Sequence, residues 1–174
     1  MHRTHSRGTG VVLIAYVAMV LALTVLKTTY RIGYLWRPEN QHNRSLELIP
    51  FEQLWASSTW FGPIFDCLGN FLMFIPLGIL LARMTSWPLG RIVLTGAAFS
   101  LGIELTQFIF AVGRTDTDDL ILNTLGTWMG AWWLRRRAGE RAACVSVWVI
   151  GLAVASFALM VLLTPVFYPA HLMP

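Results

Sequence analysis

Residues 64–82, IFDCLGNFLMFIPLGILLA, form an apolar run that is interrupted by Asp66, Asn70, Pro76 and Gly78. At about 1.5 Å per residue, a helix of this length extends about 28 Å, close to the roughly 30 Å hydrocarbon core of a bilayer. The run is therefore predicted to be a transmembrane helix.

Apolar runs also occur on both sides of this one. Together they predict five spans, at about residues 11–26, 64–82, 92–112, 119–134 and 144–163. The fourth run is short, so it reaches across only if the polar residues at its start also enter the bilayer level. The sequence thus predicts an all-α polytopic membrane helix bundle, with residues 1–174 forming a single domain.

The overall composition also indicates lipid as the main solvent. Of the 174 residues, 56% are hydrophobic and 13% are charged, and the mean hydropathy is +0.60. A soluble domain of this composition would expose large apolar patches. The net charge of +4 comes from basic residues clustered at the ends of the runs, which suits membrane lipids and gives no case for nucleic acid. Cys67 and Cys144 lie in different runs near opposite predicted faces, so free thiols are expected.

The positions of lysine and arginine predict the orientation, because short basic loops remain in the cytoplasm. With the N-terminus inside, the inner segments contain Arg3, Arg7, Arg83, Arg91, Arg135, Arg136, Arg137 and Arg141. The outer segments contain Lys27, Arg31, Arg37, Arg44 and Arg114. The basic N-terminus resembles that of a signal sequence, but no convincing cleavage site follows, so residues 11–26 are read as an uncleaved first span.

The predicted outer loop, residues 27–63, is rich in aromatic rings of the kind that favour the membrane interface. These are Tyr30, Tyr34, Trp36, Phe51, Trp55 and Trp60. The rings form either a simple aromatic belt or, around Leu54, a short amphipathic helix.

Polar side chains inside the spans are costly unless they face water or a partner, so they are candidates for function. Counting from the outer helix ends at about 1.5 Å per residue, Asn70 lies about 9 Å deep, Gln107 and Asn123 about 7 Å, and Glu104 about 12 Å. Three helices therefore contribute polar groups to one outer layer. The inner half of the same helices is nearly free of such groups.

Helical spacing predicts which polar residues share a helix face. Asp66 and Asn70 are four residues apart, as are Asp119 and Asn123. Glu104 and Gln107 are three residues apart, so they also share one helix face. Below Asn123 the face continues to the small residues Gly126 and Gly130, which allow close approach of another helix carrying Asn70 or Glu104. Pro76 and Gly78 are expected to kink the second span.

The segment 113–119, GRTDTDD, brings Arg114 and three aspartates to the mouth of the polar layer. In one interpretation Thr117 or Asp118 caps the next helix, and Arg114 neutralises Glu104 or an aspartate. In the other, Arg114 binds a phosphate or carboxylate of an external ligand, and the acids bind a cation or act as bases. All four histidines lie outside the spans, so no zinc-binding pair at helical spacing is present. Neither a metal nor a cofactor is predicted.

These residues resemble those of the VanZ-like family over most of the chain. The ordered set comprises Leu48 to Phe51, Asp66, Asn70, Phe74, Pro76 to Gly78, Glu104, Gln107, Arg114, Asp116, Asp119, Asn123, Gly126 and Gly130. The fifth run matches nothing diagnostic. The resemblance implies a bacterial inner (cytoplasmic) membrane protein whose founding relatives are linked to resistance to teicoplanin, a lipid-tailed glycopeptide, and it implies no known cofactor.

The leading hypothesis is an envelope-associated protein that binds a lipid-linked cell-wall precursor or a lipidated antibiotic in an outer-leaflet wedge. Arg114 would hold the headgroup, and Glu104, Gln107, Asn70 and Asn123 would form a hydrogen-bonding floor. Asp66, Asp116 and Asp119 would orient these groups. One alternative is a small membrane enzyme acting on a lipid phosphate or glycosidic bond. The other is a structural accessory subunit whose polar layer only sets helix register.

Overall fold

A computed structural model describes residues 2–26 and 44–167 of the chain, with side chains from residues 7–26 and 45–164. The predicted outer-loop residues Lys27, Tyr30, Arg31, Tyr34, Trp36 and Arg37 lie outside the described residues.

The described chain is mainly helical, which confirms the predicted all-α class. Its long helices are α1 (His2–Thr24), α3 (Phe61–Met84), α4 (Leu89–Phe110), α5 (Thr117–Arg136) and α6 (Glu140–Phe167). A short helix, α2 (Glu52–Ala56), lies in the connection before α3 and buries none of its residues. The two strands, β1 (Arg44–Glu47) and β2 (Gly113–Asp116), were not predicted.

Four helices of the described chain are long and apolar enough to cross a membrane. These segments are Arg7–Thr24, Phe61–Met84, Leu89–Phe110 and Glu140–Thr164. Helix α5 differs because acids occupy its first turn and Arg135 and Arg136 its last. Its role as a fifth span stays a prediction, although its 20 residues extend about 30 Å.

Helices α3 and α5 run in the same direction and pack with their backbones in contact. A Cβ atom added to Gly126 would lie 2.2 Å from the Phe71 carbonyl oxygen, and one on Gly130 would lie 2.1 Å from that of Ile75. On α3, a Cβ atom at Gly78 would lie 2.0 Å from the Thr127 carbonyl oxygen. The predicted small-residue contact with the helix that carries Asn70 is thus confirmed. Only glycine permits this approach. We call the contact made by Gly78, Gly126 and Gly130 the glycine seam.

Helix α4 joins the glycine seam from the side. A Cβ atom at Gly96 would lie 2.3 Å from the Thr127 hydroxyl oxygen, so this residue also has no room for a side chain. Pro76 lies inside α3, which remains helical on both sides of it. The buried apolar core continues around this seam with Phe74, Leu80 and Ile92.

Helices α1 and α6 cover the other side of α3 more loosely. The Tyr16 hydroxyl of α1 donates a hydrogen bond to the Met73 carbonyl, which links α1 to α3. Helix α6 leaves most of its apolar surface exposed, including Trp148 and Leu152. An exposed apolar helix face is expected where lipid is the solvent.

Strands β1 and β2 pair in parallel and connect the segment before α2 to the segment before α5. Ser45 is opposite Arg114 and Glu47 is opposite Asp116. The pairing therefore brings Glu47 to the polar residues at the start of α5.

Candidate functional site

The predicted polar residues gather at the end of the bundle where α3 and α5 begin and α4 ends. We call the group at this surface the acidic site. It consists of Glu47, Asp66, Arg114, Asp116, Asp118 and Asp119. The site thus contains five carboxylates and one guanidinium, and the surplus of negative charge favours a ligand that brings cationic or hydrogen-bond-donating groups.

Arg114 is centred among three of these carboxylates. Its guanidinium nitrogens lie 3.5 Å from Glu47, 3.8 Å from Asp66 and 4.0 Å from Asp116. The side chain of Arg114 is 37% exposed. Since these separations exceed the 2.7–2.9 Å typical of charge-assisted hydrogen bonds, the guanidinium retains capacity to bind another anion.

Asp116 begins α5 as its N-cap residue. Its Oδ1 accepts a hydrogen bond of 2.9 Å from the Asp118 N–H, which satisfies a donor of the first helical turn. The cap is therefore Asp116, and the expectation that Thr117 or Asp118 caps the helix was wrong. Asp118 has another role, because its Oδ1 accepts a 2.7 Å hydrogen bond from the Phe51 N–H.

Burial is the main cause that raises the pKa of the Asp116 carboxyl above its ordinary value of 3.8. The charges of Asp118 and Glu47 raise this pKa further. The hydrogen bond from the Asp118 N–H and the positive charge of Arg114 lower it. The balance favours the protonated form of Asp116 relative to an ordinary aspartate.

Glu104 is buried beneath the acidic site. Its Oε2 accepts a 2.9 Å hydrogen bond from the Asp116 N–H, and its backbone carbonyl accepts one of 3.1 Å from the Thr115 hydroxyl. Glu104 therefore holds β2 against the end of α4. The guanidinium of Arg114 forms ion pairs with Glu47, Asp66 and Asp116.

The two amides of α3 and α5 connect helices. The Asn70 side chain donates a hydrogen bond to Asp119, which joins α3 to α5. One turn deeper, the Asn123 amide donates to the Ser100 hydroxyl of α4 at 2.9 Å. Asn70, Glu104 and Asn123 are thus brought to the junction of α3, α4 and α5, as the depth argument predicted, and Asp119 joins them through its bond with Asn70.

Gln107 lies apart from this group. Its amide donates a 3.1 Å hydrogen bond to the Thr24 carbonyl at the end of α1. The Gln107 Oε1 and the Asn123 Oδ1 are buried and accept no hydrogen bond from the described residues. Ordered water commonly satisfies such buried acceptors.

The cavity at the acidic site is small. Its volume is about 20 Å³, enough for about one water molecule, and it lies between Arg114, Asp66 and the start of α5. The polar residues mainly bond to one another, and they do not line a lipid-sized wedge. A ligand headgroup at this site would therefore contact Arg114 and Asp66 from the surface.

An apolar strip runs along the face of α3 that points away from the acidic site. Phe61, Phe65, Leu68 and Leu72 occupy one face of the helix at spacings of three and four residues, and all four are exposed. The rings of Phe61 and Phe65 stack at 5.9 Å. Asp66, whose side chain is 61% exposed, lies about a third of a turn around α3 from this strip and faces the acidic site instead.

No cluster of three or more His, Cys, Asp or Glu side chains that could hold a metal occurs within residues 2–26 and 44–167. Cys67 and Cys144 are half-buried free thiols, as predicted.

Two residues that contact the predicted site residues, Glu47 and Ser100, were not themselves predicted. Glu47 reaches Arg114 only through the pairing of β1 with β2, which no local periodicity indicates. Ser100 could have been found, because it lies one helical turn before Glu104 on the same face of α4.

Four apolar helices, together with polar groups gathered at one end, define this protein as a polytopic α-helical membrane protein. The family model described as VanZ/LLP1 matches residues 13–138, so the chain belongs to this family. The chain is 35% identical over 134 residues to Protein VanZ of Enterococcus faecium, covering 75% of this chain and 73% of the relative. No solved structure matches. Helix α6 lies beyond the family match.

Proposed function

We propose that this VanZ-family protein resides in the bacterial inner membrane and binds an amphipathic envelope molecule at the acidic site. The molecule would be a lipid-linked cell-wall precursor or a lipidated glycopeptide such as teicoplanin. The observation that carries the proposal is the partly exposed Arg114, whose guanidinium lies 3.5–4.0 Å from three carboxylates and retains capacity to bind another anion.

The headgroup would contact both the guanidinium and the carboxylates of the acidic site. An anionic group of the ligand competes with Glu47, Asp66 and Asp116 for the Arg114 guanidinium. The carboxylates released by this exchange then accept hydrogen bonds from hydroxyl or amino groups of the same headgroup. Sugar and peptide headgroups carry many such donors, whereas a bare phosphate carries few.

The lipid tail would pass around the first turn of α3 and follow the apolar strip on the outer face of that helix. Phe61 and Phe65 lie at the level of the headgroup, and Leu68 and Leu72 continue the strip by about two turns toward the bilayer centre. Exposed Trp55 and Trp60 next to the site are suited to the membrane interface. This arrangement supports a ligand that is held partly by the surrounding lipid.

The orientation that we propose puts the N-terminus in the cytoplasm and the acidic site outside. Of the described arginines, Arg44 and Arg114 are at the acidic end, whereas Arg83, Arg91 and Arg135 lie at the ends of helices on the opposite side of the bundle. The positive-inside rule then assigns the opposite side to the cytoplasm.

The test is direct binding of teicoplanin and of a polyprenyl phosphate to the purified protein in nanodiscs. Arg114→Ala removes a charge-assisted interaction and is expected to weaken binding about tenfold or more. Glu104→Gln, which weakens the support of β2, is expected to have a smaller effect. Arg91→Ala removes the same charge from the other end of the bundle and is the matched control. Equal affinities for the wild type and Arg114→Ala would refute the proposal.

A structural role is the second candidate, because Asn70, Glu104, Gln107 and Asn123 all donate to or accept from groups inside the bundle. In that case the polar layer sets helix register. Exchanging the charges of Arg114 and Asp66 would then restore part of the stability that each single change removes, since these two residues form an ion pair but Glu47 and Asp116 would repel the new carboxylate.

A further inference from the structure

A groove of about 540 Å³ opens at the arginine-rich end of the bundle, between α1, α3 and α6. This volume lies within the roughly 300–1,000 Å³ of ligand-binding pockets. Its lining includes Gly8 and Val12 of α1, Arg83 of α3, and Cys144, Gly151 and Ala155 of α6. The groove is distant from the acidic site, and α6 lies outside the family match.

The length of the groove corresponds to one leaflet. It extends along α6 from Cys144 to Ala155, which is about 16 Å at a rise of 1.5 Å per residue. Half of a hydrocarbon core of about 30 Å is about 15 Å. The groove is therefore about as long as one acyl chain of a lipid in the leaflet on the arginine-rich side of the bundle.

Small residues create the space. A Cβ atom at Gly8 would meet nothing within 4 Å, and one at Gly151 would meet only Val12 Cγ2, at 3.5 Å. Ala155 is exposed on the same side of α6. This groove contrasts with the glycine seam, because here the missing side chains leave open volume.

The polar end of the groove carries a surplus of positive charge. Arg83, whose side chain is 19% exposed, forms a two-pronged ion pair with the 71% exposed Glu140. Arg7 and Arg141 are exposed near the same ends of α1 and α6. A planar guanidinium that binds a carboxylate through two nitrogens can bind a phosphate with the same geometry.

We infer that this groove binds one anionic glycerophospholipid, such as phosphatidylglycerol. An acyl chain lies between α1 and α6, and the lipid phosphate displaces Glu140 from Arg83. Charge complementarity selects the anionic headgroup, since three arginines and one glutamate stand at the polar end. Exposed Trp148 borders the groove and contacts the same lipid.

The experiment is native mass spectrometry of the full-length protein released from nanodiscs that contain equal amounts of phosphatidylglycerol and phosphatidylcholine. The wild type is expected to retain phosphatidylglycerol about tenfold more than phosphatidylcholine, the ratio expected of one charge-assisted interaction. Arg83→Gln is expected to abolish this preference. Arg91→Gln, which removes an exposed charge at the same end but outside the groove, is expected to keep it.

Two further variants separate binding from a purely structural role of Arg83. Glu140→Gln removes the competing carboxylate, so retention of phosphatidylglycerol is expected to rise. Gly8→Leu fills the groove without removing charge and is expected to reduce retention of both lipids. Equal retention of the two lipids by the wild type would overturn the inference, as would a loss of phosphatidylglycerol in Glu140→Gln equal to that in Arg83→Gln.

Discussion

The contact between α3 and α5 and the contact between α1 and α6 both contain glycine, with opposite results. In the glycine seam, Gly78, Gly126 and Gly130 bring backbones together with no space left. Between α1 and α6, Gly8 and Gly151 leave a groove. Since apolar burial does not drive helices together in lipid, close backbone packing and polar contacts must do so, and here they are concentrated in the seam.

The largest effect that we expect is from Gly78→Ala. Its new Cβ atom would lie 2.0 Å from the Thr127 carbonyl, and neither backbone can yield without moving a helix. We expect the free energy of unfolding to fall by about 3 kcal/mol. Unfolding in mixed micelles with rising fractions of denaturing detergent measures this change.

Gly69→Ala is the matched control in the same helix. Gly69 is exposed, and an added Cβ atom would meet nothing within 4 Å. Replacing this glycine is expected to be neutral or to stabilise α3 by up to about 1 kcal/mol. If both variants unfold alike, the seam is not the tight contact described above.

A second, smaller effect is expected at the polar end of the seam, where Asn123 donates to Ser100. Asn123→Ala and Ser100→Ala are each expected to cost about 1 kcal/mol, the scale of hydrogen bonds between membrane helices. In the double variant the two costs should overlap, with a coupling energy of about 0.6 kcal/mol. Strictly additive costs would mean that α4 is not joined to α5 through this pair.

Asp116 lies at the start of α5, where it caps the helix and carries a carboxyl group, and both properties are expected to affect stability. Asp116→Ala removes the cap of α5 and is expected to cost about 1 kcal/mol, whereas Asp116→Asn keeps a capping oxygen and is expected to cost less.

The same residue predicts a pH dependence. Because its pKa is raised in the folded state, Asp116 contributes stability at pH values below 3.8 that is lost as the pH rises through the folded pKa. Asp116→Asn should therefore gain stability relative to the wild type as the pH rises from 4 toward neutrality. Parallel curves of unfolding free energy against pH for the two proteins would contradict the raised pKa.

The smallest loss of stability is expected on the open side of the comparison. Gly151→Ala adds a methyl group at ordinary contact distance, 3.5 Å from Val12 Cγ2, and is expected to be neutral or to stabilise α6 by up to about 1 kcal/mol. Unfolding in the same detergent mixtures measures it. A loss close to that of Gly78→Ala would show that α1 and α6 pack as tightly as α3 and α5.

Local patterns were sufficient for much of the fold and part of the site. The apolar runs predicted the long helices, and the spacing of Gly126 and Gly130 predicted the close approach of α3. Depth counting predicted that Asn70, Glu104 and Asn123 lie near one another. It also included Gln107, whose amide instead faces α1, because depth along a helix does not fix the direction of a side chain around it.

The sequence by itself determined that lipid is the solvent, which segments are helical, at which end the carboxylates gather and to which family the chain belongs. These properties follow from the length and composition of each segment. Only the tertiary structure decided that Glu47 reaches Arg114, that the acidic site encloses a cavity of about 20 Å³, and that the large groove lies beside Arg83. Such features depend on strand pairing and helix rotation between distant segments, and these are set by the packing of the whole bundle.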